Sequence, residues 1–197
     1  MTIKLNIKHD LKRLQKQLRT LPDKAVKPVT NRALNRAGKK VQTEAVREIS
    51  RRTSIKPQRK VREVIKLTRS NFHRLSAKVA AYRRAPNLIE FVVPSKREPG
   101  AFKKKKGVTA KAWMQKKEYK GSFIGRGRNS RKALVFKRTS DKSAPIKTLS
   151  GPSVRRTFIE GTVNRLLRTA GRETFIKEFR RDAEYRINKH LNAGRKR

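Results

Sequence analysis

The sequence predicts an α+β fold in which a small, mainly antiparallel sheet is packed with a long N-terminal helix and two C-terminal helices. Apolar residues recur every three or four positions between residues 24 and 50, alternate with polar residues in the middle of the chain, and return to helical spacing after residue 151. Recurrence every three or four positions is typical of an amphipathic helix, whereas alternation is typical of a half-buried strand. Helices and strands in separate stretches indicate the α+β class.

The first twenty residues predict a short extended segment followed by a helix. Apolar and polar residues alternate over residues 3–7, and the leucines that follow are spaced as in a helix from about His9 to Thr20. Leu21-Pro22-Asp23 interrupts this helix. Asp23 is suited to cap the next helix, because its carboxylate can accept a backbone N–H of the first turn.

The strongest helical signal spans about Lys24 to Ser50. Its apolar face is narrow and made of small residues, which permits close packing against another helix or a sheet. Pro28 lies in the first turns, where a missing amide donor costs least. A third, shorter helix is predicted over Gln58–Arg69. The stripe of the long helix consists of Val26, Val29, Ala33, Ala37, Val41, Ala45 and Ile49.

The middle of the chain predicts strands with short connections, which favour antiparallel pairing. Residues 75–81 alternate, residues 88–93 form a second apolar run, and Pro86-Asn87 between them indicates a hairpin turn. Residues 98–106 predict a loop. Three further strands are predicted over Val108–Met114, Gly121–Ile124 and Ala133–Lys137, with Gly125–Asn129 as the turn between the last two.

Two helices are predicted at the C-terminal end. Gly151-Pro152 opens the first, because the φ angle of proline is preset and its missing donor would be unpaired there. Ser153 then lies in the first turn, and Gly171 is predicted to be a cap or a kink before the final helix. The apolar residues of the two helices are Val154, Phe158, Ile159, Val163, Leu166, Leu167 and Ala170, then Phe175, Phe179, Ala183, Ile187 and Leu191.

The length of 197 residues is close to that of one domain. We expect residues 1–191 to form a single α+β domain. Residues 1–70 would be its helical part, 71–150 its β-rich part with basic loops, and 151–191 its C-terminal helices. Residues 192–197 would form a basic tail.

The chain carries 56 Lys and Arg but only 14 Asp and Glu, a formal net charge of +42. Such a charge destabilises a solitary fold by self-repulsion unless a polyanion or neighbouring subunits neutralise it. Any single basic cluster can be a solvated surface, but solubility alone seldom requires so much charge of one sign. We therefore expect a binding or structural protein that works in a complex. No apolar run reaches the roughly 18 residues of a membrane-spanning helix, and no signal peptide is expected.

The sequence offers no recognisable catalytic or metal site, so we predict no enzyme activity, no cofactor and no metal. It contains no cysteine, and its three histidines, at positions 9, 73 and 190, are far apart and lack carboxylates at ligand spacing. Gly125-Arg126-Gly127 lacks the third glycine of a dinucleotide loop and the Gly-Lys-Ser/Thr of a P-loop. Ser153 does not lie in a nucleophile elbow.

Contact with nucleic acid is expected to involve backbone phosphates, with little sequence preference. Phe102, Trp113 and Phe123 adjoin basic residues, as stacking residues would. Strand residues that face a core explain these aromatics better, and no RNA- or single-strand-binding signature is present.

Four short motifs follow one another near the end of the β-rich part. They are Gly121-Ser122-Phe123-Ile124, Val135-Phe136-Lys137-Arg138, Pro145-Ile146-Lys147 and Gly151-Pro152-Ser153-Val154. In this order and spacing they resemble the minor tail protein Z family, whose members are tail-completion proteins of tailed bacteriophages. Ser122 stands where the family usually has Ala, and Ala144 where a larger apolar residue is common. The alanine-rich helix over Ala33–Ile49 also fits the family layout.

The resemblance implies a structural virion protein that acts late in tail assembly, at the head-proximal end of the tail. The implied partners are the tail terminator and tail tube, with the tape-measure or connector protein as further candidates. The sixfold symmetry of such tails makes a homo-hexameric ring the natural hypothesis. The implied location is the tail–neck region of the virion, reached from the host cytoplasm during assembly.

A basic lumen would suit the passage of DNA, and basic side chains can also meet acidic surfaces of adjoining rings. The alternative function is that of a sequence-independent nucleic-acid-binding protein of ribosomal or nucleoid type. Phosphate or acidic-partner contacts are predicted for Lys103, Lys104, Lys105, Lys106, Arg126, Arg128, Arg131, Lys132, Arg195, Lys196 and Arg197. Core and subunit packing is predicted for Val41, Ile49, Phe123, Phe136, Phe158, Leu166, Phe175 and Phe179.

Overall fold

The computed structural model describes residues 2–4, 23–55, 57–82, 85–93, 99, 107–127, 132–140 and 144–194. It is 53% helical and 24% strand, with a long N-terminal helix, small antiparallel sheets and two C-terminal helices, which confirms the predicted α+β class. The helix predicted over His9–Thr20 and the loop predicted over residues 98–106 lie outside the described residues, apart from Pro99.

Among the described residues, the α-helices are α1 (Asp23–Thr53), α2 (Gln58–Val64), α3 (Val154–Ile159) and α4 (Gly161–Gly194), and a 3₁₀ helix spans Leu88–Phe91. The strands are β1 (Thr2–Lys4), β2 (Ile65–Thr68), β3 (Lys78–Ala81), β4 (Val108–Ala112), β5 (Gln115–Tyr119), β6 (Ser122–Arg126), β7 (Ala133–Arg138) and β8 (Ile146–Thr148).

The chain divides into two compact units. The first comprises Met1–Val46, Ile65–Ala81 and Glu160–Arg197, and the second comprises Arg47–Val64 and Tyr82–Ile159.

In the first unit, β3 lies between β1 and β2 in an antiparallel sheet. Val79 is opposite Ile3 on one side and Leu67 on the other. A Cβ atom added to Gly38 of α1 would lie 2.8 Å from Cδ1 of Leu67. The absence of a side chain at Gly38 therefore lets α1 approach β2 closely.

The small apolar stripe of α1 is buried from Val29 onward, as its composition predicts, whereas Val26 is half-buried. Val29, Ala33, Ala37, Val41 and Ala45 are all at most 1% exposed. In α4, every fourth residue from Val163 to Ala183 is buried, namely Val163, Leu167, Gly171, Phe175, Phe179 and Ala183.

The second unit contains the β4–β5 hairpin and the antiparallel sheet β6–β7–β8. Phe123 and Phe136 are directly opposite in the β6–β7 pair, and their rings stack with centroids 5.9 Å apart. Arg138 lies over the Phe123 ring, 5.5 Å from its centroid.

The helix predicted over Gln58–Arg69 ends five residues early. Residues 65–68 form β2 instead, paired with β3 from Ile65↔Ala81 to Thr68↔Lys78. The ladder hydrogen bonds to β3 replace those that another helical turn would supply, and the β-branched Ile65 and Thr68 favour the extended form.

The strand predicted over residues 88–93 is wrong, and so is the hairpin turn at Pro86-Asn87. Leu88–Phe91 is a 3₁₀ helix, and β3 pairs with β1 and β2. The Oδ1 atom of Asn87 accepts the N–H of Ile89 and thereby caps the short helix. Only Val92 of this run makes a bridge, to Ala110.

Strands β5 and β8 were not predicted, because their residues are almost all exposed and show no apolar alternation. The strand predicted over Val108–Met114 ends at Ala112. Gly125 and Arg126, predicted as turn residues, belong to β6, and residues 128–131 lie outside the described part.

The C-terminal helices divide at Glu160 rather than at Gly171. The N–H of Asn164 bonds to the Glu160 carbonyl at 2.8 Å, so Glu160 precedes the first turn of α4. Gly171 is a buried interior residue of that helix. Ser153, predicted inside the first turn, is instead the cap of α3, because its Oγ accepts the N–H of Arg156 at 3.3 Å.

Candidate functional site

Ion pairs within the first unit link α1 to α4. Arg32 contacts Asp182 at 3.4 Å, and Glu178 accepts hydrogen bonds from Arg36 at 2.5 Å and from Arg181 at 2.6 Å. Asp182 is buried, so its partner offsets the cost of placing a charge there.

The second unit has a comparable cluster at the end of α1. Glu48 accepts two hydrogen bonds from Arg51, at 3.0 and 2.9 Å, and one from Arg52 at 2.7 Å. The bonds from Arg51 and then Arg52 hold the pKa of Glu48 below its usual 4.5, although burial opposes this shift. The same contacts raise the pKa of Arg51.

Many of the few carboxylates are therefore paired with Lys or Arg of the same chain. The described carboxylates that have a Lys or Arg partner within 4 Å include Glu44, Glu48, Glu63, Glu90, Glu178 and Asp182. Because the chain has four times as many cations as carboxylates, many basic side chains are left to face solvent.

Two of the predicted basic contact residues lie at the same end of the β6–β7 pair. Arg126 ends β6 opposite Ala133 at the start of β7, and Lys132 immediately precedes Ala133. Both side chains are exposed. The other predicted basic residues lie outside the described residues: Lys103, Lys104, Lys105, Lys106, Arg128, Arg131, Arg195, Lys196 and Arg197.

The residues predicted for core and subunit packing lie at different depths. Val41, Ile49, Phe136, Phe158, Phe175 and Phe179 are buried, and Phe123 is half-buried. Leu166 is 42% exposed and is not a core residue of the subunit. The four-residue spacing of α4 buries its neighbour Leu167 instead.

Sequence reasoning missed the basic β4–β5 hairpin. Lys111, Lys116 and Lys117 are exposed on its two strands, and Trp113 and Met114 form its tip. The usual signal for a two-residue hairpin is Asn-Gly or Asp-Gly between apolar runs, and this hairpin has neither.

A cavity of about 720 Å³ lies within the second unit. Its walls are mostly apolar, and the polar residues in them are Lys60 and Glu90, which form an ion pair (2.5 Å), together with Glu63, Asn87 and Lys132. The described lining holds no serine, histidine or cysteine.

Within the described ranges, no three His, Cys, Asp or Glu side chains converge as a metal site would require. No described helix is long and apolar enough to span a membrane.

Comparison with known proteins identifies the family. A family model described as prophage minor tail protein Z matches residues 9–192, nearly the whole chain. No curated protein and no solved structure matches it. Minor tail proteins are structural components of the phage virion and contact other tail proteins. From this match, the chain belongs to the prophage minor tail protein Z family.

Proposed function

We propose that this protein completes the head-proximal end of a phage tail as a homo-hexameric ring in the neck, where the head joins and the genome passes. The proposed neighbours are the tail terminator and tail tube, with the tape-measure or connector protein on the channel side. The role is structural and non-enzymatic. The observation that carries the proposal is the +42 charge of a chain that belongs to a phage tail family.

The charge supports this position because internal pairing does not remove it. The described carboxylates largely bind arginine and lysine within their own unit, while Arg126 and the hairpin lysines Lys111, Lys116 and Lys117 remain exposed. Six such subunits in one ring would repel one another unless anionic groups lay close by. DNA in the channel and acidic surfaces of adjoining rings would both supply those groups.

The proposal is tested on particles from a phage that lacks this gene. We expect free tails that do not join heads, and joining restored when the purified protein is added. Reconstruction of the neck in complete particles should show six copies at the head-proximal end. A different copy number or a position at the tail tip would contradict the corresponding part of the proposal.

The alternative, a sequence-independent nucleic-acid-binding protein, is favoured by the same exposed cations. The two functions respond differently to nuclease. A tail component stays with purified tails in fixed stoichiometry after nuclease treatment, whereas a nucleoid-type protein is released by nuclease or by raised salt, because its affinity comes from displaced counterions.

A further inference from the structure

The tip of the β4–β5 hairpin has a backbone conformation that does not suit its residues. Ala112 and Gln115 are paired across the strands, so Trp113 and Met114 form a two-residue turn with φ angles of +50° and +65°. Two positive φ angles are the mark of a type I′ turn, which strongly prefers Asn, Asp and Gly. Strained positions of this kind cluster at binding sites.

The two apolar side chains at the tip also face solvent. Trp113 is 52% exposed and Met114 is 58% exposed. Neither the local conformation nor burial within the subunit accounts for a tryptophan and a methionine here. Tryptophan is among the residues most enriched at the energetic centres of protein interfaces.

The tip is held in position by Ser54. The Met114 N–H donates to Ser54 Oγ at 3.1 Å, and the Ser54 hydroxyl donates to Met114 Sδ at 3.6 Å. Ser54 itself has a φ of +60°. These bonds therefore fix the backbone of the tip, which lowers the entropy lost when a partner binds.

The strands below the tip carry unbalanced positive charge. Lys111 and Lys116 are directly opposite each other, Lys117 follows, and Glu118 is the one acidic residue of the hairpin. Like charges at directly opposed positions destabilise a strand pair. Carboxylates from a partner would relieve this repulsion.

We propose that the hairpin Val108–Tyr119 docks into an apolar recess rimmed by carboxylates on a neighbouring tail protein, with Trp113 and Met114 as the inserted residues. The proposal rests on the function proposed above and names the surface that makes the contact. A second copy of the same hairpin is disfavoured as the occupant, because it would bring lysines against lysines.

Duplex DNA is also less suitable than a protein. Met114 has no aromatic plane to stack on a base, and the outer C=O groups of β5 find no partner on DNA phosphates, which only accept hydrogen bonds. Among the described residues β5 pairs only with β4, so its outer N–H and C=O groups are open to an extended protein segment.

The decisive variant is W113N/M114G in the full chain. It removes both inserted side chains and supplies the residues that a type I′ turn prefers, so the hairpin should fold at least as stably as before. Binding is measured by titration to purified tails from phage that lack this gene, with sedimentation as the readout. We expect the affinity to fall by at least about tenfold. Phe72→Ala, which removes an aromatic side chain 59% exposed in the other unit, is the matched control and should bind normally.

A second variant, K116E, places opposite charges across the strand pair with Lys111. This change does not destabilise the hairpin, but it weakens the attraction of the hairpin to an acidic recess. Binding to tails should therefore decline without loss of thermal stability.

The outcomes separate the two proposals. If wild-type protein does not bind the tails, both the proposed function and the docking fall. If wild type and W113N/M114G bind equally, only the docking is wrong. If W113N/M114G binds tails normally but loses affinity for a short DNA duplex, the hairpin contacts nucleic acid and the docking is overturned.

Discussion

At the residue scale, Glu48 shows how one carboxylate compensates two arginines in a chain short of acidic groups. Because its pKa is lower in the folded protein than the usual 4.5, the cluster contributes stability above that pH. The contribution is lost as the pH falls through the lowered folded value.

We therefore predict that Glu48→Gln lowers the free energy of unfolding by roughly 1 kcal/mol at about pH 7. The difference from wild type should shrink as the pH falls below the folded pKa of Glu48, where this carboxylate is protonated in both states. Urea unfolding of both proteins, from about pH 7 down to a pH below the folded pKa of Glu48, measures this difference in the free energy of unfolding. Glu63→Gln, which removes an exposed pair with Arg59, is the control and should change little. A deficit that is the same at both ends of the range would contradict the assignment.

Gly107 is a second position at which one residue decides local structure. Its φ is +79°, and an added Cβ would meet the backbone carbonyl of Tyr119, which cannot move without disturbing the β4–β5 pair. Gly121 has a similar φ of +72° but no heavy atom within 4 Å of the added Cβ.

Gly107→Ala should consequently cost at least about 2 kcal/mol of stability, and Gly121→Ala about 1 kcal/mol, since the second carries only the conformational penalty. Chemical unfolding of the two variants beside wild type measures the difference. Equal losses would show that the Tyr119 carbonyl does not constrain residue 107.

At the element scale, the 3₁₀ helix depends on its cap. Asn87 Oδ1 accepts from the N–H of Ile89 at 3.0 Å and from the N–H of Val135 at 2.9 Å, so one side chain joins the short helix to β7.

Asn87→Ala should lower the free energy of unfolding by about 2 kcal/mol, because two backbone donors lose their acceptor. Asn87→Asp keeps the acceptor oxygen and loses only the Nδ2 donor, whose bond to the Val135 carbonyl is long at 3.4 Å, so this variant should lose less stability than the alanine variant. Thermal unfolding of both variants distinguishes them, and an aspartate variant as unstable as the alanine variant would show that the Nδ2 bond matters as much as the acceptor.

Helix α4 offers a comparison between a buried and an exposed apolar residue. Phe179 is fully buried, with its ring centroid 5.7 Å from that of Phe175, whereas Leu166 is 42% exposed.

Phe179→Ala should cost about 3–5 kcal/mol and Leu166→Ala less than about 1 kcal/mol. Denaturant titration of each variant provides the test. If Leu166→Ala proves as damaging as Phe179→Ala, the residue is buried in the working state, as a contact between subunits would require.

Long elements with clear periodicity were predictable, because their apolar spacing directly reflects burial. Helix α1, the stripe of α4 and strands β4, β6 and β7 belong to this group. Elements held by single polar contacts or by pairing distant in sequence were not. The cap by Asn87 and the pairing of Ile65 with Ala81 leave no periodic trace.

The candidate site divides in the same way. Runs of basic residues such as Arg126–Lys132 are visible in the sequence, but the docking hairpin is not, since its turn uses Trp113 and Met114 where the common turn residues would have marked it. The signal is a turn that lacks the residues a type I′ turn prefers, and it can be recognised only once the φ angles of Trp113 and Met114 are known.

At the scale of the whole molecule, the main feature is the large positive net charge. A net +42 on 197 residues leaves the folded chain under mutual repulsion that mobile ions can screen.

Raising sodium chloride from about 0.05 M to about 0.5 M should stabilise the isolated protein by roughly 1 kcal/mol, which raises Tm by about 2–4 °C. Calorimetry or near-UV circular dichroism records the shift. A short DNA duplex should raise Tm at low salt and lose this effect at high salt. A Tm that falls with added chloride would mean that internal ion pairs outweigh the repulsion.

The four-residue period of α4 has a geometric consequence for any neighbour. A helix turns about 100° per residue, so each step of four overshoots a full turn by about 40°, and the buried stripe from Val163 to Ala183 winds by about 200°. The exposed face of α4 must therefore wind around the helix axis by the same angle. A straight rod laid alongside α4 would leave that face after two or three turns, so a long-range contact requires a partner that crosses obliquely or curves around it.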